Sequence, residues 1–442
     1  MILLLLTIPQ TISLIVFIIT YALIMSNRIH RTIAAIVGAG VMVVLVFPPA
    51  EALELALHYE NWETLGLIFG MFTMVIGLRE SGFFRWIGLL AVEKTRYNPI
   101  YIFFVFPFLA GFLSMFLDSI TVMLFMATLS IEVGTLIGLN PIPLIITEIC
   151  AANIGGSATM VGDPPNVIIG TALGYSFIDF VVNTGPAAWM SWVVTMIFFY
   201  SWYRKDLRKS RIEVKARLDK NELKFTKPSE AIIDPWLFKV GVVDLGIAVA
   251  LLTTHHITGL TVAQIGIIVA TVILVFGGNP LKKTPEFLEK IDWLTLIFFG
   301  CLFIIVGGIE YTGIIEMIAQ GIGQIAGNKM ASALGIILWM SAFLSSVVDN
   351  VPFAATMAPL IKDLSMITGL ELKPLAWSLS LGTDIGGNGT PIGASANVVG
   401  VAVAEKNKYP ISWGVYCKVA YPSMIISVAV CNAVLLLRYV AL

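Results

Sequence analysis

Long uncharged apolar runs constrain this chain more than any other feature. "TISLIVFIITYALIM" with its flanks and "LTVAQIGIIVATVILVFGG" approach or exceed the ~20 apolar residues that cross a bilayer as a helix, and runs like them recur through all 442 residues. In lipid, each unpaired backbone N–H or C=O costs several kcal/mol, so such runs have to be helices. Only 12% of the residues are charged and 58% are hydrophobic, where a soluble domain is charged at about a quarter of its positions. The expected fold class is an all-α polytopic membrane protein, multi-pass in the plasma or inner membrane. The start, "MILLLLTIPQ", has no basic stretch before its apolar one and reads as the lead into the first helix. A net charge of −1 gives no reason to expect a nucleic-acid partner. The four cysteines lie in or near apolar segments without metal-site spacing, and read as buried thiols.

Against this background one stretch stands out. "ANIGGSATMVGDPPNVIIG", Ala152 to Gly170, carries four glycines, two adjacent prolines, an Asp, two Asn, a Ser and a Thr. Gly155, Gly156 and Gly162 permit unusual backbone. Pro164-Pro165 cannot continue a helix but can begin one. The expectation is a helix broken near the bilayer midplane. The first half ends in free carbonyls, and the second begins with free N–H groups and a partial positive charge.

The same pattern returns 231 residues later. "ANIGGSATMVGDPPNV" lies on "TDIGGNGTPIGASANV", Thr383–Val398, and "FLSMFLD" (112–118) lies on "FLSSVVD" (343–349). Over 62–167 and 293–398 there are 26 identities in 106 ungapped positions, among them Gly, Pro, Asp and Trp that shared apolar composition does not align. The segment after the Trp62 helix carries Arg79, Arg85, Lys94 and Arg96, whereas its partner has one Lys at its end. By the positive-inside rule the two copies therefore run in opposite senses, an arrangement common in secondary transporters.

These features predict two inverted repeats of five spanning helices. The first set is 8–26, 32–49, 62–80, a discontinuous helix at 143–174, and 186–203. The second is 236–254, 259–277, 293–309, a discontinuous helix at 374–404, and 418–440. Residues 1–203 form the first repeat, 204–234 a cytoplasmic basic linker holding ten of the 27 Lys and Arg, and 235–442 the second repeat. Ten crossings put both termini on the extracytoplasmic side. Segments 100–137 and 331–362 read as re-entrant hairpins with Asp118 and Asp349 at their tips, and 82–95 and 313–328 as amphipathic interfacial stretches. Two tips and two breaks then converge on a solute and ion site.

Within that site the acids differ between copies. Asp118 and Asp349 can cap a hairpin turn or bind H⁺ or Na⁺, and charge at this depth is rarely kept without a partner or a use. Asp163 has capping and ion binding as equal rivals, and its partner is Ala394. Asn153 pairs with Asp384. Asn166 and Asn397 are identical and follow the breaks at the same spacing, which makes them expected ligands, with Ser157, Asn388, Thr159 and Thr390 beside them. Asp118, Asn153, Asp349 and Asp384 are the residues suited to Na⁺. No cofactor is expected, only a coupling ion, Na⁺ or H⁺. Within 100–171 and 331–400 the only basic residues are Lys362 and Lys373, so no cationic clamp for an anion is visible.

"GGSATMVGDPPNVII", "VVDNVPFAATMAPLI" and "GGNGTPIGASANVVGVAVAEK" resemble the signature segments of the arsenite permease, NhaD sodium/proton antiporter and melanosomal P protein group. That group lies in the ion transporter superfamily, with the divalent anion/sodium symporters. The resemblance covers nearly the whole chain after about residue 55. It implies a homodimer and an elevator, in which a transport domain (100–174 and 331–404) moves against a scaffold made by the remaining helices. Carried over by position, Asp118-Ser119 and Asp349-Asn350 match the hairpin tips. Asn153 to Asn166 and Asp384 to Asn397 match the breaks, so Gly155, Gly156, Gly386, Gly387 and Ser395 join the expected site. Bacterial arsenite permeases often carry Asn where this chain has Asp118 and Asp349. The expected function is an ion-coupled secondary transporter of a small inorganic ion or solute, arsenite-like or Na⁺ against H⁺. The alternative is a sodium-coupled carrier of small organic or inorganic anions. A channel would use similar breaks, and an intramembrane protease would need two carboxylates sharing a proton. No nucleophile or metal motif supports an enzyme.

Overall fold

Polar caps divide the apolar chain into helices. The structure is a computed structural model and describes residues 6–26, 28–219, 227–326 and 329–441. No strand occurs among them. The first half holds α1 (Ile8–Ser26), α2 (Arg31–Leu45), α3 (Ala52–Tyr59), α4 (Trp62–Ser81), α5 (Phe83–Lys94), α6 (Pro99–Ser114), α7 (Ser119–Ile137), α8 (Ile142–Gly156), α9 (Pro164–Leu173) and α10 (Phe177–Asp219). The second holds α11 (Pro235–Thr258), α12 (Val262–Phe276), α13 (Pro280–Glu289), α14 (Trp293–Tyr311), α15 (Ile314–Ala326), α16 (Met330–Ser345), α17 (Asn350–Thr368), α18 (Leu372–Gly386), α19 (Ser395–Lys406) and α20 (Trp413–Leu436).

The boundaries themselves repeat. Adding 231 to both ends of α2, α6 and α7 gives α12, α16 and α17, and adding it to the starts of α4, α5 and α9 gives those of α14, α15 and α19. The caps repeat too. Asn61 Oδ1 accepts from Thr64 N as Asp292 Oδ1 does from Thr295 N, both at 3.0 Å. Gly138 and Gly369, at the ends of α7 and α17, both take left-handed φ, +78° and +71°. The same local chemistry therefore stops and starts the helices in both copies.

Among the described residues, seven helices are long and apolar enough to cross a membrane: α1, α4, α7, α10, α11, α14 and α20. α7 is among them although the sequence reading gave it to a re-entrant hairpin. The largest difference lies in α10. The sequence reading ends a span at 203, where hydropathy falls, and opens a linker at 204. The helix instead continues unbroken to Asp219, 43 residues in all, or about 65 Å at 1.5 Å per residue. Its basic end is no loose connection: Tyr203, Leu207 and Val214 are buried. Of the remaining linker, 220–226 lie outside the described residues, and 227–234 carry a short 3-10 turn at Pro228–Ala231.

Packing sorts the helices into two groups. α4 lies along α12, and α14 along α2. Where α4 and α12 meet, a Cβ on Gly70 would come 2.1 Å from the Gly266 carbonyl oxygen, so only glycine lets these backbones approach, the usual device of membrane helix pairs. α1, α3, α11 and α13 also pack in this group. In the other group α6 packs on α8 and α16 on α18, while α17 lies on α9 and α7 on α19, each joining one copy to the other. α10 and α20, assigned from sequence to the scaffold, pack on each other and on α8 and α18, within this second group.

Candidate functional site

Four interruptions meet inside the second group. The hairpin turns lie between α6 and α7 and between α16 and α17. The helix breaks lie between α8 and α9 and between α18 and α19, the latter containing a short 3-10 turn at Gly387–Gly389. Unwound backbone inside a membrane needs donors for its freed carbonyls, and one asparagine per copy supplies them. Asn166 Nδ2 donates to the carbonyls of Gly156 (3.1 Å) and Thr159 (3.0 Å). Asn397 Nδ2 does the same to Gly387 and Thr390, both at 2.7 Å. Thr159 and Thr390 donate their hydroxyls to the carbonyls of Met115 and Ser346, tying each break to the hairpin turn of its own copy. Gly155 and Gly386 admit the neighbouring helix: an added Cβ would sit 2.0 Å from the Gly111 carbonyl oxygen, or 2.4 Å from Ala342 Cα. Asn166, Asn397, Thr159 and Thr390 thus spend their donors on the backbone.

This bracing has a measurable cost when reversed. Asn397→Asp keeps the shape but turns a carboxyl oxygen toward two carbonyl oxygens. At about 1–3 kcal/mol for each buried group left unpaired, the loss is about 2–6 kcal/mol. It should appear as a lower thermal unfolding midpoint of the purified protein, and a midpoint equal to that of the unaltered chain would contradict this role. The control is Asn407→Asp, whose amide donates to Val403 at an exposed position.

The acids sit in different surroundings. Asp163 is the N-cap residue of α9, yet its side chain does not cap that helix. Its Oδ1 accepts from Ser119 Oγ at 2.7 Å and its Oδ2 from Asn350 Nδ2 at 3.1 Å. Ser119 and Asn350 are the first residues of α7 and α17, equivalent under the repeat, so one carboxylate holds both hairpin tips. Asp118 and Asp349 cap α7 and α17 through Thr121 N and Val351 N, each at 3.1 Å. One oxygen of Asp118 accepts no hydrogen bond. Asp384 is fully buried, and neither of its oxygens accepts one. Asn153 donates to Asn388 Oδ1 and Asn397 Oδ1, both at 2.8 Å, and Ser380 Oγ donates to Asn166 Oδ1 at 2.6 Å, so the two breaks are cross-linked. Ser157 serves only its own helix end, through the Ile154 carbonyl.

Sequence reasoning missed one participant. Arg31, the first residue of α2, closes the short basic stretch Arg28–Arg31, whose charge by itself signals only a cytoplasmic position. Its guanidinium reaches Asp349 Oδ2 (3.2 Å), Ser395 Oγ (3.1 Å) and Thr295 Oγ1 (3.2 Å), and lies over the Phe298 ring. The one sequence signal was that the equivalent residue of the other copy is Val262. Arg31, Asp349, Ser395, Asp292, His30 and Arg28 help to line a cavity of about 590 Å³. Behind it, a space of about 10 Å³ is bounded by residues including Asp118, Asp163 and Asn350, near the size one water or small ion needs. Other charges stay away: Glu132 pairs with Arg85 at 2.7 Å and Lys373 with Asp179 at 3.5 Å. Buried Glu148 accepts from Ser130 Oγ at 2.6 Å between α7 and α8.

Comparison with known proteins agrees with this architecture. The family model described as "Citrate transporter" matches residues 21–382. The "46 kDa membrane protein" of Mycobacterium leprae is 32% identical over 439 residues, covering 98% of this chain and all of that one. The human P protein is 28% identical over 492 residues, covering 95% of this chain and 59% of that one. Among solved structures, the Alcanivorax borkumensis YdaH transporter superposes with a TM-score of 0.57 at 14% identity, over 86% of each chain, a likeness of fold. The chain is a multi-pass secondary transporter rather than an enzyme, and it belongs to the citrate transporter family of the ion transporter superfamily.

Proposed function

We propose that this chain is a cation-coupled carrier that works by an elevator motion, and that its cargo is a small carboxylate-type anion taken up with the cation. The observation that carries the coupling is the set of acids without basic partners, Asp118, Asp163 and Asp384, gathered where four interruptions meet. Charge is rarely kept at this depth without a use, and a cation or proton satisfies these groups. Two considerations favour an anionic cargo: the family's own description, and a cavity whose lining includes Arg28 and Arg31 beside the start of α19, where N–H groups and the helix dipole favour negative charge. The mobile body is the group containing both hairpins and both broken helices, with α10 and α20 moving as part of it because they pack there. The scaffold is α1, α2, α4, α11, α12 and α14, and two such scaffolds form a homodimer with both termini extracytoplasmic. The meeting of Ser119 and Asn350, the equivalent first residues of α7 and α17, on the one Asp163 carboxylate is what two hairpins entering from opposite faces would give.

A second reading, exchange of Na⁺ for H⁺ without an anion, is favoured by the excess of acids over bases near the tips. The test uses purified protein in liposomes with an internal pH dye, challenged in turn with Na⁺, citrate plus Na⁺, and arsenite. The proposal expects labelled citrate or a related carboxylate to enter at least tenfold faster with a cation gradient than without, and to show counterflow. A pH change driven by Na⁺ alone, with no carboxylate moving or competing, selects the exchanger. Single-channel currents would exclude any carrier.

A further inference from the structure

The two hairpin tips are equivalent under the repeat, but their charges are not balanced alike. At one tip, Asp349 faces Arg31, whose guanidinium also binds Ser395 and Thr295. Asp349 and Ser395 belong to the second copy's hairpin and half-helix, whereas Thr295, on α14, and Arg31 itself, on α2, belong to the other packing group. At the opposite tip the first residue of α12 is Val262. No guanidinium can come from that position, and Asp118, 7% exposed, keeps one oxygen without a donor. Among the ion pairs of the described residues, Asp349 is represented and Asp118 is not.

We propose that the Arg31 guanidinium takes, at Asp349, the place that a transported monovalent cation takes at Asp118, so that one of two repeat-related cation sites is filled by the chain itself. The inference rests on the cation-coupled reading above. Its chemistry is substitution: a guanidinium with its charge near the carboxylate supplies what a bound ion supplies, attraction to Asp349 and a shared ligand shell that includes the Ser395 hydroxyl. Because Arg31 is anchored to a helix outside the mobile body, this cation cannot travel with the cargo. It ties Asp349 to the scaffold in the conformation described here, and only the Asp118 side loads an ion from solution.

The test is thermal unfolding of the purified full chain against NaCl, with choline chloride holding ionic strength constant. A ligand that binds only the folded protein raises the midpoint with the logarithm of its concentration above Kd. The unaltered chain should show one sodium-dependent rise, which Asp118→Asn removes and Asp349→Asn leaves in place. Arg31→Gln should unfold earlier in choline and gain an additional sodium-dependent rise, about 2 °C or more at tenfold its half-saturation. That rise should vanish in the Arg31→Gln/Asp349→Asn double variant. Arg31→Lys, which keeps the positive charge beside Asp349, should show no additional rise, although it unfolds earlier than the unaltered chain because an ammonium cannot hold all three guanidinium partners. A sodium response in Arg31→Gln identical to that of the unaltered chain would overturn the proposal. So would removal of the rise by Asp349→Asn as complete as that by Asp118→Asn, a comparison that stands even if Arg31→Gln does not fold. Failure of cation coupling would show instead as liposome flux indifferent to Na⁺ and H⁺, whatever these midpoints do.

Discussion

Asp163→Ala is expected to reduce cation-coupled flux in liposomes by a hundredfold or more while leaving a protein that still inserts and purifies. The carboxylate accepts from both hairpin tips at once, Ser119 at 2.7 Å and Asn350 at 3.1 Å. Removing it strands a hydroxyl and an amide in a dry interior, at about 1–3 kcal/mol each. That destabilises one conformation of the tips more than it unfolds the helices, because α7 and α17 keep their own caps at Asp118 and Asp349. The loss should fall mainly on turnover, not on cargo half-saturation. Asp163→Asn should be intermediate: its oxygen can still accept from Asn350 and its amide can donate to the Ser119 hydroxyl, but the negative charge is gone. Flux within twofold of the unaltered chain in Asp163→Ala would remove this carboxylate from the mechanism.

How this clasp escapes a sequence reading is instructive. Asp163 precedes Pro164-Pro165, where a cap is the local expectation, and local pattern cannot see partners 44 and 187 positions away. The glycines, the prolines and the 231-residue offset were legible because backbone freedom and its loss are properties of single residues. The spacing of Asn166 and Asn397 was legible as well. Their work as backbone donors was not, because it depends on which carbonyls the break leaves free. From sequence Arg31 is one charge beside Arg28 and His30, and only the tertiary approach of α2 to the second hairpin tip and α19 gives it a partner. The extent of α10 was missed for a different reason. Hydropathy ends at Tyr203, but "RKDLRKSRIEVKARLD" is made of good helix formers, with Lys209 and Glu213 one turn apart at 4.0 Å. The apolar stretch ends there while the helix does not.

The second large effect concerns motion. If the group holding the four interruptions slides as a body, a bond inside it should be harmless and a bond across its boundary should stop transport. Two hydroxyl pairs provide the contrast. Thr195 and Ser427 join α10 to α20 inside the group, with their oxygens 2.6 Å apart. Thr64 and Thr171 join α4 to α9 across the boundary, at 2.7 Å. Both pairs bring small β-carbon side chains into direct contact, the approach that a disulfide requires. The native cysteines Cys150, Cys301, Cys417 and Cys431 are free and would first be replaced.

The deciding measurement is therefore flux through liposomes carrying each cysteine pair, before and after oxidation and again after reduction. The account predicts that oxidised Thr64→Cys/Thr171→Cys loses more than nine-tenths of its flux and recovers it with reductant, while oxidised Thr195→Cys/Ser427→Cys transports as before. Full transport through the oxidised Thr64–Thr171 link, with the crosslink shown to be complete, would contradict it.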